Sequence, residues 1–529
     1  MLVSTTVAMA CTNFIVTPGA STDGSTICTY NADDYGMFGF LCHYPAARHA
    51  KGSMRDIVGW DSGEWTGRIP EAEQTYSVIG NINEFQVTIG ETTYGGRDEM
   101  IDTTGIIDYG SLIYLGLQRA KTAREAIKVM TTLAETYGYN SSGETFSICD
   151  PKEAWIMEMM GCGAGSKSVV WVAIRVPDGM ICAHANQSRI GNFLQMGLAK
   201  EDLMYSKNVI SYARKMGWFK GKDAEFSWKN AYAFPDMEGR RLCDARVWSF
   251  FNHHADVKAY EAWALGVDPN AQDMPLWVKP DNKLSVHDVM MDMRDHYEGT
   301  ALSLADTTNM AGGPWLMPYR PTPLVFKGDD GKEYFWERPT STQQTAFTFV
   351  SQMRANVPDY VGGVLWFGND DANMIAYTPI YCASTRRPTC YNTPDAGPAQ
   401  FSMANAFWVC NWVSNMVYPR YSSLFPDLQS TRDALEAKFL ARQAEVEAAA
   451  MKMEPETAKR YLNDYTISAA GEMMQAWHDL AILLIVKHND MAVRPQNPDG
   501  SFKNARVNRT GYPAATRRIL IERGDVKAL

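Results

Sequence analysis

Four strand-like runs follow one another between residues 145 and 185, and this stretch constrains the fold more than any other. Residues 145–149, 154–159, 168–176 and 180–185 are rich in β-branched, aromatic and other apolar side chains. The turn at 161–165 holds Gly161, Gly163 and Gly165, and the next opens on Pro177, Asp178 and Gly179. Connections this short join antiparallel neighbours, so the stretch reads as a β-hairpin run. The same texture begins earlier, at 12–16 and 25–30 with Pro18-Gly19 and Asp23-Gly24 between them, and continues at 77–79 and 85–89. One helix interrupts it. Thr122 and Glu125 have capping-box spacing, and Ile127, Met130 and Leu133 recur at helical period, which predicts a helix over 122–136.

The rest of the chain is more helical. Residues 200–300 read as mixed and helical, with a long loop over 266–283 that contains Pro269, Pro275 and Pro280. Strand signals return at 346–350, 363–367 and 373–378. From about residue 426 the composition turns charged and alanine-rich. Ser430, Thr431 and Asp433 read as the cap of one helix, and Pro455 as the first-turn proline of another that runs to Lys487. Residues 491–529 read as a polar, solvated tail with Arg506, Arg509, Arg517, Arg518 and Arg523.

The 529 residues suggest about three units at roughly 150 residues each, or one large domain with an appendage. With 46% apolar and 21% charged residues the chain has ample material for a core. Its 50 basic against 60 acidic residues leave a net charge of −10, a poor match to nucleic acid or an anionic membrane. The densest aliphatic run, 480–486, is too short to span a bilayer.

Several chemistries fail on spacing. There is no H-E-x-x-H and no G-x-S-x-G. Residues 161–168 imitate a phosphate loop but miss its spacing. His253 and His254, like His287 and His296, lack metal-ligand spacing. None of the ten cysteines forms a C-x-x-C pair, so neither a structural zinc site nor a disulfide scaffold is indicated.

Cys11 stands apart because of what precedes it. Residues 1–10 carry no charged side chain, and Ala8-Met9-Ala10 is the small-x-small pattern found before an export cleavage. Residues 1–10 then read as a signal remnant, a self-removed propeptide or the start of a lipoprotein. The plainer reading is that nothing is cut. If the chain is cut after Ala10, the new α-amino group shares a residue with the thiol. Its unperturbed pKa of about 7.7–8.0 lets it act as base for that thiol, so no histidine is required.

The order Cys11-Thr12-Asn13-Phe14-Ile15-Val16, followed by Gly19-Ala20-Ser21-Thr22-Asp23-Gly24, resembles the start of the cysteine-type bacterial dipeptidases. These are N-terminal-nucleophile hydrolases related to penicillin V acylase and bile salt hydrolase. The resemblance continues in Asn31-Ala32-Asp33-Asp34, in Gly80 to Val87, in Glu91-Thr92-Thr93 and in Trp155 with Glu158. It also appears around Trp171 and Arg175, in Ala185-Asn186-Gln187-Ser188-Arg189-Ile190, in Gly312-Gly313-Pro314-Trp315 and in Ser341-Thr342-Gln343-Gln344. It covers most of residues 11–425.

This resemblance implies an α+β fold: a four-layer αββα N-terminal-nucleophile hydrolase sandwich over 11–425 and a helical C-terminal region over 426–529. It implies hydrolysis of a dipeptide or short peptide through a thioester, with no metal or cofactor. Cys11 matches the nucleophile and Asp33 the acid that holds its amine. Asn186 and Asn83 match two oxyanion positions, and Arg246 the active-site arginine more loosely. The plainer reading of Asn83 and Asn186 is that they form turns, and of Arg246 that it is an ion-pair partner. Related amidases carry an arginine shortly before the acid, where this chain has Thr29 and Tyr30. That departure argues against the alternative, an amidase acting on N-acyl amino acids or penicillin-type substrates. A lipoprotein acylated at Cys11 and acting as a binding protein is the non-enzymatic alternative. Export to the periplasm or medium is the expected location, with a self-processed cytoplasmic enzyme and a homo-oligomer both open.

Overall fold

A computed structural model describes residues 11–529 except 235–236, 306–309 and 504–506. The segment 1–10, read above as a propeptide or signal remnant, lies outside the described residues, as does Arg506.

The first three strands of the hairpin run pair as expected, but the fourth, Ile181–His184, crosses to a second sheet and pairs with Asn13–Val16 instead of Val169–Arg175. Gly163 and Gly165 adopt φ of 90° and 76°, which a side chain would resist, and so turn the strand Ala154–Gly161 back into Val169–Arg175. With Gly143–Cys149 these strands form the centre of an eight-stranded sheet. Its order is Leu203–Tyr205, Val169–Arg175, Ala154–Gly161, Gly143–Cys149, Thr88–Gly95, Ile82–Asn83, Val78–Ile79, His43–Tyr44. A second sheet has seven strands in the order Trp277–Val278, Ile181–His184, Asn13–Val16, Thr26–Asp33, Thr345–Met353, Val364–Asn369, Thr378–Tyr381. Neighbours in both sheets pair antiparallel.

The central strands are buried along their whole length, which is why their sequences run apolar instead of alternating. In the eight-stranded sheet, helices Tyr109–Arg119 and Ala123–Tyr137 lie against the strands. The two sheets meet where Thr26–Asp33 touches Thr88–Gly95 and Gly143–Cys149. His184 of the smaller sheet bridges this junction, its Nδ1 2.7 Å from Thr92 Oγ1 and its Nε2 2.7 Å from Ser147 Oγ. Burial and the Arg189 charge lower its pKa to about 3, so it stays neutral.

The C-terminal helices pack on the seven-stranded sheet. Ala406–Val417 touches Val364–Asn369, while Tyr421–Ala450 and Pro455–His488 touch Thr378–Tyr381. Pro455 opens its helix as expected. The preceding helix starts at Tyr421, ahead of the Ser430 cap expected from sequence, and carries Pro426 inside it. Thr431 donates to Asp427 O one turn back instead of capping, and buried Arg432 bonds Asn373 O at 2.8 Å. The strand expected over 373–378 lies at Thr378–Tyr381. That expected over 85–89 lies at Thr88–Gly95, because Asn83 Oδ1 accepts from the backbone N–H of Phe85 and Val87 and holds the chain in a tight turn there. Helix 122–136 is observed as Ala123–Tyr137, with Thr122 capping Glu125 N, but Glu125 reaches back to Lys121 N and not to the cap residue. The tail holds a helix, Ala514–Glu522, that sequence reading missed. Among the described residues no helix is long and apolar enough to cross a membrane.

Candidate active site

Cys11 stands just ahead of the strand Asn13–Val16. Thr12 and Asn31 exchange both backbone hydrogen bonds, at 3.2 and 2.9 Å, which draws Cys11 alongside the end of Thr26–Asp33. That pairing brings Asp33 beside the nucleophile candidate, where its backbone N–H bonds the thiol. Arg338 Nη2 lies 2.6 Å from Asp33 Oδ2, and Thr345 Oγ1 donates to Oδ1. Burial raises the Asp33 pKa to about 6, opposed by Arg338, Thr345 and Arg246.

Arg246 clasps the same spot from the other side. It lies in the first turn of the helix Ala245–His254, directly after a π-helical stretch over Arg240–Asp244. Such stretches carry an extra residue per turn and recur at functional sites. Its Nη1 donates to Cys11 O at 2.7 Å and Thr12 Oγ1 at 2.8 Å; its Nη2 donates to Asn186 Oδ1 at 3.0 Å and Ala185 O at 3.3 Å. Asn186 follows the strand Ile181–His184 in a left-handed conformation, φ 56°, and its Nδ2 donates to Thr93 O at 2.7 Å. Cys11, Asp33, Asn186 and Arg246 therefore form one connected group drawn from four separate segments.

Asn83 is not part of it. Its Nδ2 donates to Leu117 O at 2.8 Å and Ala120 O at 2.7 Å, and its backbone N–H to Val87 O. Both the amide hydrogens and the backbone hydrogen are committed in this arrangement. The plainer reading, a turn-forming asparagine that also ties down the end of the helix Tyr109–Arg119, is the one its contacts describe.

Three residues to which sequence reading assigned no role crowd the thiol. Cys11 Sγ is 3.7 Å from Tyr30 Oη and 3.6 Å from Glu91 Oε1, and the Tyr30 hydroxyl donates to that same Oε1. Glu144 Oε1 accepts from Thr93 Oγ1 at 2.7 Å. The second oxygens of Glu91 and Glu144 meet no third group, and the two carboxyls are hydrogen-bonded to each other. Burial raises both carboxyls, and the Glu91 charge raises Glu144 further. The signal for Glu91 was present in the sequence: it is the sole charged residue between Phe85 and Gly95. The arrangement determines the state of the thiol. Burial, then the Glu91 and Asp33 charges, push Cys11 well above its usual range, so the resting sulfur is protonated and attack requires a base.

A cleft of about 640 Å³ shares Phe347 with the surroundings of Tyr30. Phe38, Phe40, Trp60 and Phe347 line it, with Asp61 among them. Phe347 packs edge-on against Tyr30 at 5.5 Å, and Tyr109 Oη donates to Asp61 Oδ1 at 2.9 Å.

One further cluster contradicts its sequence spacing. Asp292 joins His253 and His254, its oxygens 3.0 and 2.8 Å from their ring nitrogens, a set whose atoms are close enough to hold a metal. Despite its burial, His253 is raised to about 9 by Asp292 and Asp295, which makes it a cation paired with carboxylates.

With the geometry in hand, comparison with known proteins is informative. A model of peptidase family C69 matches residues 10–434. A probable dipeptidase of Salmonella dublin is 26% identical over 403 residues, 70% of this chain and 81% of that protein. A probable dipeptidase of Latilactobacillus sakei is 22% identical over 91% of this chain and 98% of its own length. Dipeptidase A of Lactobacillus helveticus is 22% identical over 90% and 95%.

Proposed function

The chain belongs to peptidase family C69, a cysteine peptidase family, and from that membership we propose that it is a dipeptidase whose nucleophile is Cys11, made N-terminal by cleavage after Ala10. The observation that carries the reading is the convergence of Asp33, Arg246 and Asn186 on Cys11, whose thiol is held in its protonated form.

Cleavage would supply a base. The free α-amine takes the Sγ proton, the thiolate attacks the scissile carbonyl, and the leaving amine collects the proton. A thioester forms, and water, activated by the same amine, hydrolyses it. Asp33, beside Cys11 and already held by Arg338, orients the ammonium and favours its charged form. Arg246 sets the Cys11 carbonyl and the Asn186 side chain in one frame, and Asn186 is the side-chain donor suited to the oxyanion. Two stacked sheets with helices packed on each support reading the architecture as the four-layer sandwich of N-terminal-nucleophile hydrolases.

The test joins N-terminal sequencing and intact mass with turnover. The active protein is expected to begin at Cys11 with a free amine, to hydrolyse dipeptides, and to lose that activity in Cys11→Ala. Active protein that retains residues 1–10, carries lipid on Cys11, or hydrolyses N-acyl substrates but no dipeptide overturns the proposal.

A further inference from the structure

Glu91 has no part in the mechanism above, yet it is wholly buried and its Oε1 sits 3.6 Å from the attacking sulfur. Its polar neighbours are the Cys11 thiol, the Tyr30 hydroxyl and the Glu144 carboxyl, and no Lys, Arg or His side chain forms an ion pair with it among the described residues. A buried carboxylate without a side-chain cation is unfavourable, and an ammonium arriving with the substrate, beyond the Cys11 amine already held by Asp33, would relieve it.

The geometry selects which cation. A carbonyl carbon poised for attack lies about 3–3.5 Å from the sulfur. Backbone bond lengths put the α-nitrogen of the same residue about 2.5 Å from that carbon. An α-ammonium there can bond an oxygen 3.6 Å from Sγ at ordinary charge-assisted length, whereas a side-chain ammonium would lie well beyond it. Tyr30 orients Oε1, the Glu144 carboxyl is hydrogen-bonded to the same group, and Asp61 adds negative potential from the cleft. We propose that Glu91, aligned by Tyr30 and backed by Glu144, is the seat of the substrate's free α-ammonium group. The site then accepts only dipeptides with an unblocked N-terminus and rejects N-acyl compounds. The inference rests on the dipeptidase reading and deepens it by naming the substrate class.

The test compares the X-Ala dipeptide turned over best in a panel with its des-amino analogue, reading alanine release. The wild type is expected to prefer the free amine by about a hundredfold or more in kcat/KM, because an unpaired buried carboxylate penalises the analogue. Glu91→Gln keeps the shape and the Tyr30 bond, and is expected to collapse that ratio to within a few-fold of one, mainly through KM. Calorimetry on Cys11→Ala is expected to show dipeptide binding that the Cys11→Ala/Glu91→Gln double variant loses, which needs no turnover. If Glu91→Gln does not fold, Tyr30→Phe is expected to lower the preference about tenfold, the value of one buried hydrogen bond. A wild type that turns over both compounds equally overturns this inference and leaves the dipeptidase reading intact. Equal losses on both compounds in Glu91→Gln also overturn it, since Glu91 would then act on the thiol and not on the substrate. A wild type that cleaves no dipeptide overturns both.

Discussion

Cys11 and the groups around it differ in what they offer a substrate, and single substitutions separate them. With the thiol held protonated, kcat/KM is expected to rise with pH as the α-amine loses its proton, with a midpoint at or above the ordinary value of about 7.7–8.0 because Asp33 favours the ammonium, read from a pH–rate profile. If Asn186 is the oxyanion donor proposed above, Asn186→Ala is expected to lower kcat about 100- to 1,000-fold with little change in melting temperature. Asn83→Ala is expected to do the reverse. It strands the Leu117 and Ala120 carbonyls and costs about 1–3 kcal/mol in urea denaturation, while kcat stays within a few-fold. Both asparagines stand in similar contexts after short strands, and only their partners distinguish them.

Among the elements, the long helix Tyr421–Ala450 shows how the C-terminal region is tied to the sheets. Glu436, buried on this helix, receives both guanidinium nitrogens of Arg294 and the Tyr377 backbone N–H. One turn-rich segment and the end of the smaller sheet thus converge on one carboxylate. Glu436→Ala leaves Arg294 charged and unpaired in the interior, and is expected to cost about 3–5 kcal/mol by chemical denaturation. Glu472, which joins Lys438 and Arg442 at the surface of the same helix pair, is expected to matter by less than about 1 kcal/mol when replaced by alanine.

At the scale of the whole molecule, the buried carboxyls set the pH response. Burial raises Asp33 to about 6 and Glu158 and Asp370 to about 7. A folded-state pKa above the unfolded value means that the native state keeps protons the unfolded chain releases. Their contribution is therefore full below about pH 4 and is lost as pH rises through 6 to 7. His253, raised to about 9, has the same sign, its contribution being lost between about 6.5 and 9. Glu298, lowered to about 2, has the opposite sign and weakens the fold only in strong acid. The melting temperature is expected to be higher at pH 5.5 than at pH 8.0, and Glu158→Gln to flatten the profile between about 4.5 and 7. A melting temperature higher at pH 8.0 would contradict this account of the core.

What the sequence by itself determined is local. The hairpin order of the three strands from Gly143 to Arg175, the capped helix Ala123–Tyr137, the proline-led helix Pro455–His488 and the neighbourhood of Cys11 and Asp33 could be read in advance, whereas the strand Ile181–His184 went to the other sheet. Turn chemistry, capping and strand pairing act over a few residues, and the 11–33 hairpin brings its two ends together through adjacent strands. Only the tertiary structure decided which buried polar groups meet. Arg246 reaches Cys11 O across 235 residues, and Glu91 meets Tyr30 because one sheet stacks on the other. The same packing turned Asn83 into a strut and drew the helix start from Ser430 back to Tyr421. Local preference is worth tenths of a kcal/mol to about one per residue, whereas leaving a buried carboxylate, amide or guanidinium unpaired costs about one to several, so the packed interior overrides the local signal wherever the two disagree.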